Sequence, residues 1–500
     1  MSLLRRTLIA SSAALALFAG FAAGPTLLSR SASAQEIQTG ALAPPGGAPM
    51  SFADLIERVR PAVVSISVRQ RPDAAANQAA PEGLPPGFED YFRGRPGRPG
   101  PAPMSLGSGF FIDQQGTIVT NHHVVESAEE ITIRTSDGRE LPADIVGSDE
   151  PTDLAVLRVR GGGRFQFVTF DDASHIRVGD WVVAVGNPFG LDGTATAGIV
   201  SALGRRDAGT SAYVDFLQID APINRGNSGG PTFDLAGNVV GVNSQILSPT
   251  GGSVGIGFAI PANTARSVVQ QIIQAGRVTR GWIGVSIQDV DDDIARSLGM
   301  EAARGALVGS VTPDGPAARA GIQQGDIILS FDGADVQDRR ELTQRVGATA
   351  VGRSARVEVL RNGQRRTLNL RLGERPSEQV LASANQPQAT PQQEPESSAG
   401  VVQSALGLSV RPLSAEDRTR YELSANEGGL VITTLEPDSD AAEKAIRPGD
   451  VILQAGGRPV RTAQDLSTAA DAARRAGRPL LLQVDGRLGR RFVAVEVGGN

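Results

Sequence analysis

Two stretches hold the residues best placed to do chemistry. One is Gly226-Asn227-Ser228-Gly229-Gly230-Pro231, the other Thr120-Asn121-His122-His123-Val124-Val125. Glycines around the serine let the backbone crowd any atom that its hydroxyl would attack. A serine is inert unless a base removes its proton, and imidazole is the usual base. Between the two stretches runs Asp149-Glu150-Pro151-Thr152-Asp153-Leu154-Ala155-Val156-Leu157, an acid leading into an apolar strand. The chain order is thus His, Asp, Ser, one of the orders in which acyl-transfer triads occur.

The chain has three histidines, His122, His123 and His175. If the first pair lies in extended backbone, its members point to opposite faces and only one can meet Ser228. His175, within Asp172-Ala173-Ser174-His175-Ile176-Arg177, reads as a surface loop residue. Asp149, Asp171 and Asp172 rival Asp153 as the acid. Asp153 is preferred because a carboxylate at the start of an apolar strand is partly buried, as an imidazole-orienting group should be. The N–H groups of Gly226 and Ser228 could turn into one hole for a developing oxyanion. The chain has no cysteine, which excludes disulfides and thiolate chemistry. Its histidines have no carboxylate at metal-ligand spacing, and there is no phosphate loop, so neither metal nor cofactor is expected.

The elements that must position these groups are short strands broken by glycine turns. Ser51 reads as the cap of a helix through Val59, and Ala62 to Val68 alternates like a strand. From Gly107 to about Ala262 strands recur at short spacing without long helices, which implies paired β-barrels. A helix capped by Asn263 closes this region. Residues 70–104 form a Pro/Gly-rich insertion with aromatic residues at its centre, and a long insertion of this kind reads as a loop with a docking role.

A repeat follows. Gly305-Ala306-Leu307-Val308, Thr312-Pro313-Asp314, Ala317-Ala318, Ile322 and Gly325-Asp326-Ile327-Ile328-Leu329 return as Gly429-Leu430-Val431-Ile432, Glu436-Pro437-Asp438, Ala441-Ala442, Ile446 and Gly449-Asp450-Val451-Ile452-Leu453. That is two copies of one small domain. Residues 375–400, rich in Gln, Pro, Ser and Glu, read as a flexible tether between them.

With 500 residues the chain should hold about three domains. Its net charge of -6 argues against nucleic acid as a partner. At the N-terminus Arg5-Arg6 precedes an apolar run from Leu8 to Leu28, then Ala32-Ser33-Ala34. This predicts export with cleavage after Ala34, in preference to a retained anchor. An anchor would leave the protein associated with the membrane surface.

Ser108-Gly109-Phe110, Thr120 to Val125, Thr152 to Leu157, Gly186-Asn187-Pro188-Phe189-Gly190 and Asn224 to Pro231 together resemble the HtrA, or Do-type, serine endoproteases. The resemblance covers nearly all of the chain. It implies a mainly β chain: a chymotrypsin-like double β-barrel followed by two PDZ-like domains. The implied segments are a signal peptide over 1–34, a lead-in over 35–50, a protease domain over 51–276, PDZ domains over 280–374 and 401–498, and a linker over 375–400. The base falls on His123, the orienting acid on Asp153 and the nucleophile on Ser228. His122 stands where the family usually has Asn. A specificity pocket maps to Ile223 and to the loop 243–257, especially Ile246, and favours small aliphatic side chains. The insertion 70–104 resembles the family's regulatory loop. In the first PDZ-like module, Ile283, Gly284 and Val285 would offer N–H groups to a peptide's C-terminal carboxylate, with Leu342 and Val346 lining the side-chain pocket. The resemblance further implies ATP-independent degradation of unfolded envelope proteins in the periplasm, C-terminal peptides as ligands, and a homotrimer able to build larger cages. The alternative is a chaperone or scaffold with a dormant active site.

Overall fold

The computed structural model describes residues 51–70, 104–161, 163–171, 173–187, 193–205, 211–224, 226–249, 251–376, 402–403, 406–421 and 428–498. The export segment, the insertion and the linker predicted above lie outside them, apart from a few residues at their ends.

A short helix α1 (Ala53–Val59) opens the fold, one residue later than a helix starting at Phe52. Six strands then close a first barrel: β1 (Val63–Gln70), β2 (Met104–Phe111), β3 (Thr117–Thr120), β4 (Ala128–Arg134), β5 (Glu140–Asp149) and β6 (Leu154–Val159), in the order β1-β2-β3-β6-β5-β4. Closure leaves no edge strand exposed. Its interior is filled by Val64, Ile66, Phe111, Ile118, Ile133 and Leu157, with the Phe165 ring stacked on Phe111 at 4.3 Å.

The second barrel repeats the plan with β7 (Trp181–Gly186), β8 (Thr194–Arg205), β9 (Phe216–Ile219), β10 (Pro231–Phe233), β11 (Val239–Ile246) and β12 (Gly257–Pro261), closed as β10-β11-β12-β9-β8-β7. Its core is Val182, Ala184, Val200, Ile219, Ile223 and Val240. Helix α2 (His122–Val125) follows β3 directly, so the histidine pair is helical where extended backbone was considered. Helix α3 (Ala262–Ala275) closes the region. It starts at Ala262 behind Pro261, and Asn263 bonds only to the adjacent N–H of Thr264, so Asn263 is not its cap. Proline at this boundary already ends the preceding strand and has no N–H to satisfy.

The repeats are two small antiparallel sheets. In the first, β13 (Gly281–Trp282) pairs with β20 (Gly373–Glu374). The main sheet runs β14 (Val285–Asp289), β15 (Ala306–Val311), β16 (Ile327–Phe331), β18 (Ser354–Arg361), β19 (Gln364–Arg371), with β17 (Ala334–Asp335) beside β16. Helix α4 (Arg339–Ala348) packs Leu342 and Val346 into its core. In the second, the order is β21 (Val402–Gln403), β22 (Leu408–Pro412), β23 (Leu430–Leu435), β24 (Val451–Ala455), β26 (Leu480–Asp485), β27 (Arg491–Val495), with β25 (Arg458–Pro459) beside β24. Helix α5 (Ala463–Ala476) buries Leu466 and Ala470. Its capping box, Thr462 with Asp465, satisfies two N–H groups at the helix start. Phe492, Leu481 and Ala494 of the second module pack on Ile294, Leu307 and Leu329 of the first. The Gln288 side-chain amide both donates to and accepts from the Phe492 backbone, at 2.9 and 2.8 Å.

Candidate active site

The acid is set by its backbone. Glu150–Thr152 forms a single tight turn whose N–H groups need a cap, and the Asp149 carboxylate accepts from Thr152 N at 3.2 Å. The turn ends on Asp153 in the left-handed region, at φ 55° and ψ 39°. Asp tolerates this conformation better than most residues. It throws the Asp153 carbonyl and carboxylate toward the histidine turn. The carbonyl accepts from Asn121 Nδ2 at 2.8 Å and from His122 N at 3.1 Å. One carboxylate oxygen accepts from His123 N at 3.1 Å. Both oxygens lie within 3.0 Å of His123 Nδ1. A single residue therefore grips the turn through main chain and side chain and fixes the imidazole plane.

Helical backbone at 122–125 sends the two histidines to different partners. His123 meets Asp153, whereas His122 Nδ1 lies 3.1 Å from Ser148 Oγ and its other nitrogen 3.6 Å from Glu126. Burial pulls the His123 imidazolium down, but the hydrogen bond and charge of Asp153, with Glu126, outweigh it and hold the group above its ordinary 6.5. His175 is exposed, 3.6 Å from Asp171, as a surface residue should be. Folding also brings Asp234 to this pair, a grouping invisible in linear spacing. The Asp234 carboxylate is already engaged there by the backbone and side-chain N–H groups of Asn238.

Ser228 lies at the junction of the barrels. Its carbonyl accepts from Ser108 N at 2.9 Å, and its Oγ donates to the carbonyl of Ser244 at 3.1 Å. Ser244 Oγ in turn donates to Asp153 Oδ2 at 2.8 Å, so one residue touches both the hydroxyl and the acid. The flanking loop is pinned by short backbone links, Asn227 N to Asn224 O at 3.0 Å and Gly229 N to Asn243 O at 2.8 Å. Gly226 and Gly229 take φ of 96° and 83°. At Gly229 a Cβ would lie 2.3 Å from both Ser108 O and Thr120 Oγ1, so only glycine fits. Among the described residues, no other backbone carbonyl takes the N–H of Gly226 or of Ser228.

Ser108 and Ser244 carry structure that the motif reading did not assign. Ser108 is fully buried; its Oγ donates to Gly226 O at 2.5 Å and accepts from Asn187 N at 2.8 Å. It ties the first barrel to the serine loop of the second. The signal available for it was its place at the head of Ser108-Gly109-Phe110. Ser244 had none beyond lying in the pocket loop.

Beside Ser228 opens a pocket of about 270 Å³ lined by Ile223, Asn224, Gln245, Ile246, Ser248 and Gly251. Both isoleucines named from the sequence line it, with Ile223 buried in the barrel core. In the first repeat, Ile283 is buried with Leu342 and Val346, and Gly284 takes φ 77°.

Behind the acid sits a buried ion pair. Arg280, at the start of the first repeat, binds Asp149 with both guanidinium nitrogens, at 2.6 and 2.7 Å. Their side chains are 10% and 6% exposed. The Tyr213 ring stacks under the guanidinium, with its centroid 4.4 Å away.

Two six-stranded barrels with a serine, an imidazole and a carboxylate at their junction, followed by two peptide-binding-type sheets, define a chymotrypsin-like serine peptidase joined to PDZ domains. Family models agree: a trypsin-like peptidase domain matches residues 107–242, and PDZ domains match 281–372 and 398–485. The chain is 43% identical over 476 residues to a probable periplasmic serine endoprotease, DegP-like, of Brucella suis, covering 89% of each chain. It is 42% identical over 436 residues to a protein of the same name from Pseudomonas fulva, covering 84% of this chain and 88% of that one. Among solved structures, HtrA-type protease AlgW with a decapeptide is 38% identical, covers 65% of this chain and 99% of its own, and superposes with a TM-score of 0.56. The chain belongs to the DegP-like serine endoproteases of the HtrA family. It is a serine endopeptidase that acts on protein or peptide substrates.

Proposed function

We propose that Ser228 is the nucleophile, His123 its base and Asp153 the orienting acid, with the N–H groups of Gly226 and Ser228 receiving the oxyanion. The observation that carries this reading is the continuous link His123–Asp153–Ser244–Ser228 at the mouth of the Ile223/Ile246 pocket. For attack, the Ser228 hydroxyl exchanges its bond to the Ser244 carbonyl for one to His123. The imidazole takes the proton as Oγ attacks the scissile carbonyl and returns it to the leaving amine. Asp153 stabilises the imidazolium without taking the proton. Ile223 and Ile246 favour a small aliphatic side chain before the cut.

The substrates proposed are unfolded or damaged envelope proteins, with C-termini or apolar segments docking at Ile283, Gly284 and Val285 of the first PDZ domain. The relatives named periplasmic and the apolar N-terminal run support export, with cleavage after Ala34. The proposed bounds remain 51–276 for the protease domain, 280–374 and 401–498 for the PDZ domains. Exposed Val178, ahead of β7, and Trp181 at its start offer apolar surface for a homotrimer of protease domains. Purified mature chain should degrade unfolded casein, and Ser228→Ala should abolish this. Casein cleavage surviving in that variant refutes the assignment.

A further inference from the structure

The two PDZ sheets differ at the strand where a ligand would add. In the first, β14 ends the sheet, with β15 on one side and no strand on the other among the described residues. In the second, the equivalent strand β22 pairs with β23 on one side and with β21 on the other. Strand β21 is the chain's own approach to the module: in backbone register Val402 pairs with Val410 and Gln403 with Ser409.

We propose that the second PDZ domain is self-capped: Val402–Gln403 holds the strand position a C-terminal peptide would take, so peptides load the first domain and reach the second only when this strand detaches. This rests on the reading that both modules take peptides by strand addition.

The direction of the cap supports it. A PDZ ligand runs antiparallel to the receiving strand and ends with its carboxylate at the preceding loop. Strand β21 is antiparallel to β22 and runs toward that same loop, Leu406-Gly407-Leu408. It follows the path of a ligand and excludes one. The receiving apparatus beneath it is otherwise built as in the first domain. Gly407 takes φ 68° where Gly284 takes 77°. The Gly407 carbonyl accepts from Glu436 N at 2.8 Å, and that of Gly284 from Thr312 N at 2.9 Å. Buried Leu466 and Ala470 stand on α5 where Leu342 and Val346 stand on α4, so an apolar pocket is retained.

The cap is also weak enough to release. It comprises two residue pairs at a sheet edge. Such a short ladder, helped by the high effective concentration of a tethered segment, should shield the groove by about tenfold. A ligand that binds the open groove shifts the population by its own differential affinity.

Hydrogen exchange on the full mature chain tests this without knowledge of the natural ligand. The edge-facing amides of β22 should exchange at least about tenfold more slowly than those of β14. The double variant Val402→Pro/Gln403→Pro removes both N–H groups of the cap, and a second variant lacking residues 396–403 removes the strand. In both, β22 should lose this protection while β24 and β26 keep theirs, which shows that the domain is still folded. A fluorescein-labelled peptide of residues 394–403 with a free carboxylate should fill a second site, besides that of the first domain, about tenfold more tightly in the opened variants than in the native chain. Edge amides of β22 that already exchange as fast as those of β14, or a second peptide site filled equally well in native and opened chains, overturn the proposal. Loss of protection with no second peptide site in either variant leaves the cap standing and overturns the peptide-binding reading of the second domain.

Discussion

Removing one partner of the Arg280–Asp149 pair should cost far more than breaking a surface salt bridge, because the group left behind is nearly excluded from water. Arg280→Met keeps most of the apolar stem that packs against Tyr213 and removes only the charge. It leaves the Asp149 carboxylate, 6% exposed, with Thr152 as a partner but without its counter-ion. Breaking one side of a buried pair in this way costs about 3–5 kcal/mol. Asp149→Asn can still cap Thr152 but strands the guanidinium at a similar cost. The double variant buries no unpaired charge, so it should lose at least about 2 kcal/mol less than the sum of the singles. Each domain concerned carries one of the two tryptophans, Trp181 and Trp282. In a Trp282→Phe background, Trp181 fluorescence during urea unfolding reports the protease barrels alone. Casein cleavage should fall in Arg280→Met as well, because Asp149 caps the turn that delivers Asp153 in its left-handed conformation. A single variant costing less than about 0.5 kcal/mol, or strictly additive singles, would refute a buried, coupled pair.

Five further outcomes are expected. Ser244→Ala removes the donor to Asp153 Oδ2 and should lower kcat about tenfold at nearly unchanged KM, the loss expected of one charge-assisted bond. The acid limb of kcat/KM should report a His123 pKa above 6.5, and Asp153→Asn should shift that limb to lower pH while slowing the reaction. The same raised pKa means that the protonated pair stabilises the fold fully below pH 6.5, and this contribution fades as pH rises through the folded value. In the second PDZ domain burial raises Asp417, but Arg411 and Ser414 outweigh it and hold the group at about 2, so the stability it contributes is present above 3.8 and lost as pH falls toward 2; acid unfolding followed by circular dichroism should lose this component in Asp417→Asn. Gly229→Ala should yield a chain with folded PDZ domains and a distorted serine loop, visible as lost labelling by an active-site probe.

Much of the candidate site was legible because the proposed chemistry needs particular residue types in particular local settings. Ser228 among glycines, and Asp153 at the head of an apolar strand, could be picked out from their neighbours. Between His122 and His123 the residues alone did not decide, and extended backbone was the wrong frame for the question. Asn121 and His122 both bond to the Asp153 carbonyl, and this tertiary grip sets the turn as helical against the strand that precedes it. Propensity near Asn263 likewise suggested a cap where Pro261 already marked the boundary. Ser108, Ser244 and the Arg280–Asp149 pair were illegible for one shared reason. Their partners lie 118, 91 and 131 residues away, and only the packing of the second barrel, and of the start of the first repeat, against the first barrel brings them together. The repeat was plain in the sequence, whereas the different pairing of its two ligand strands was not, because it depends on two residues, Val402 and Gln403, at the entry to the second module.

The central claim is that Ser228 is activated by His123 and Asp153. Incubation of the mature chain with a fluorophosphonate probe, followed by peptide mapping, tests it most directly. The modification should fall on Ser228 alone, fade below the His123 pKa, and vanish in His123→Ala. A chain that stays unlabelled even with peptide present, or one labelled at another serine with casein cleavage lost in step, would contradict the account.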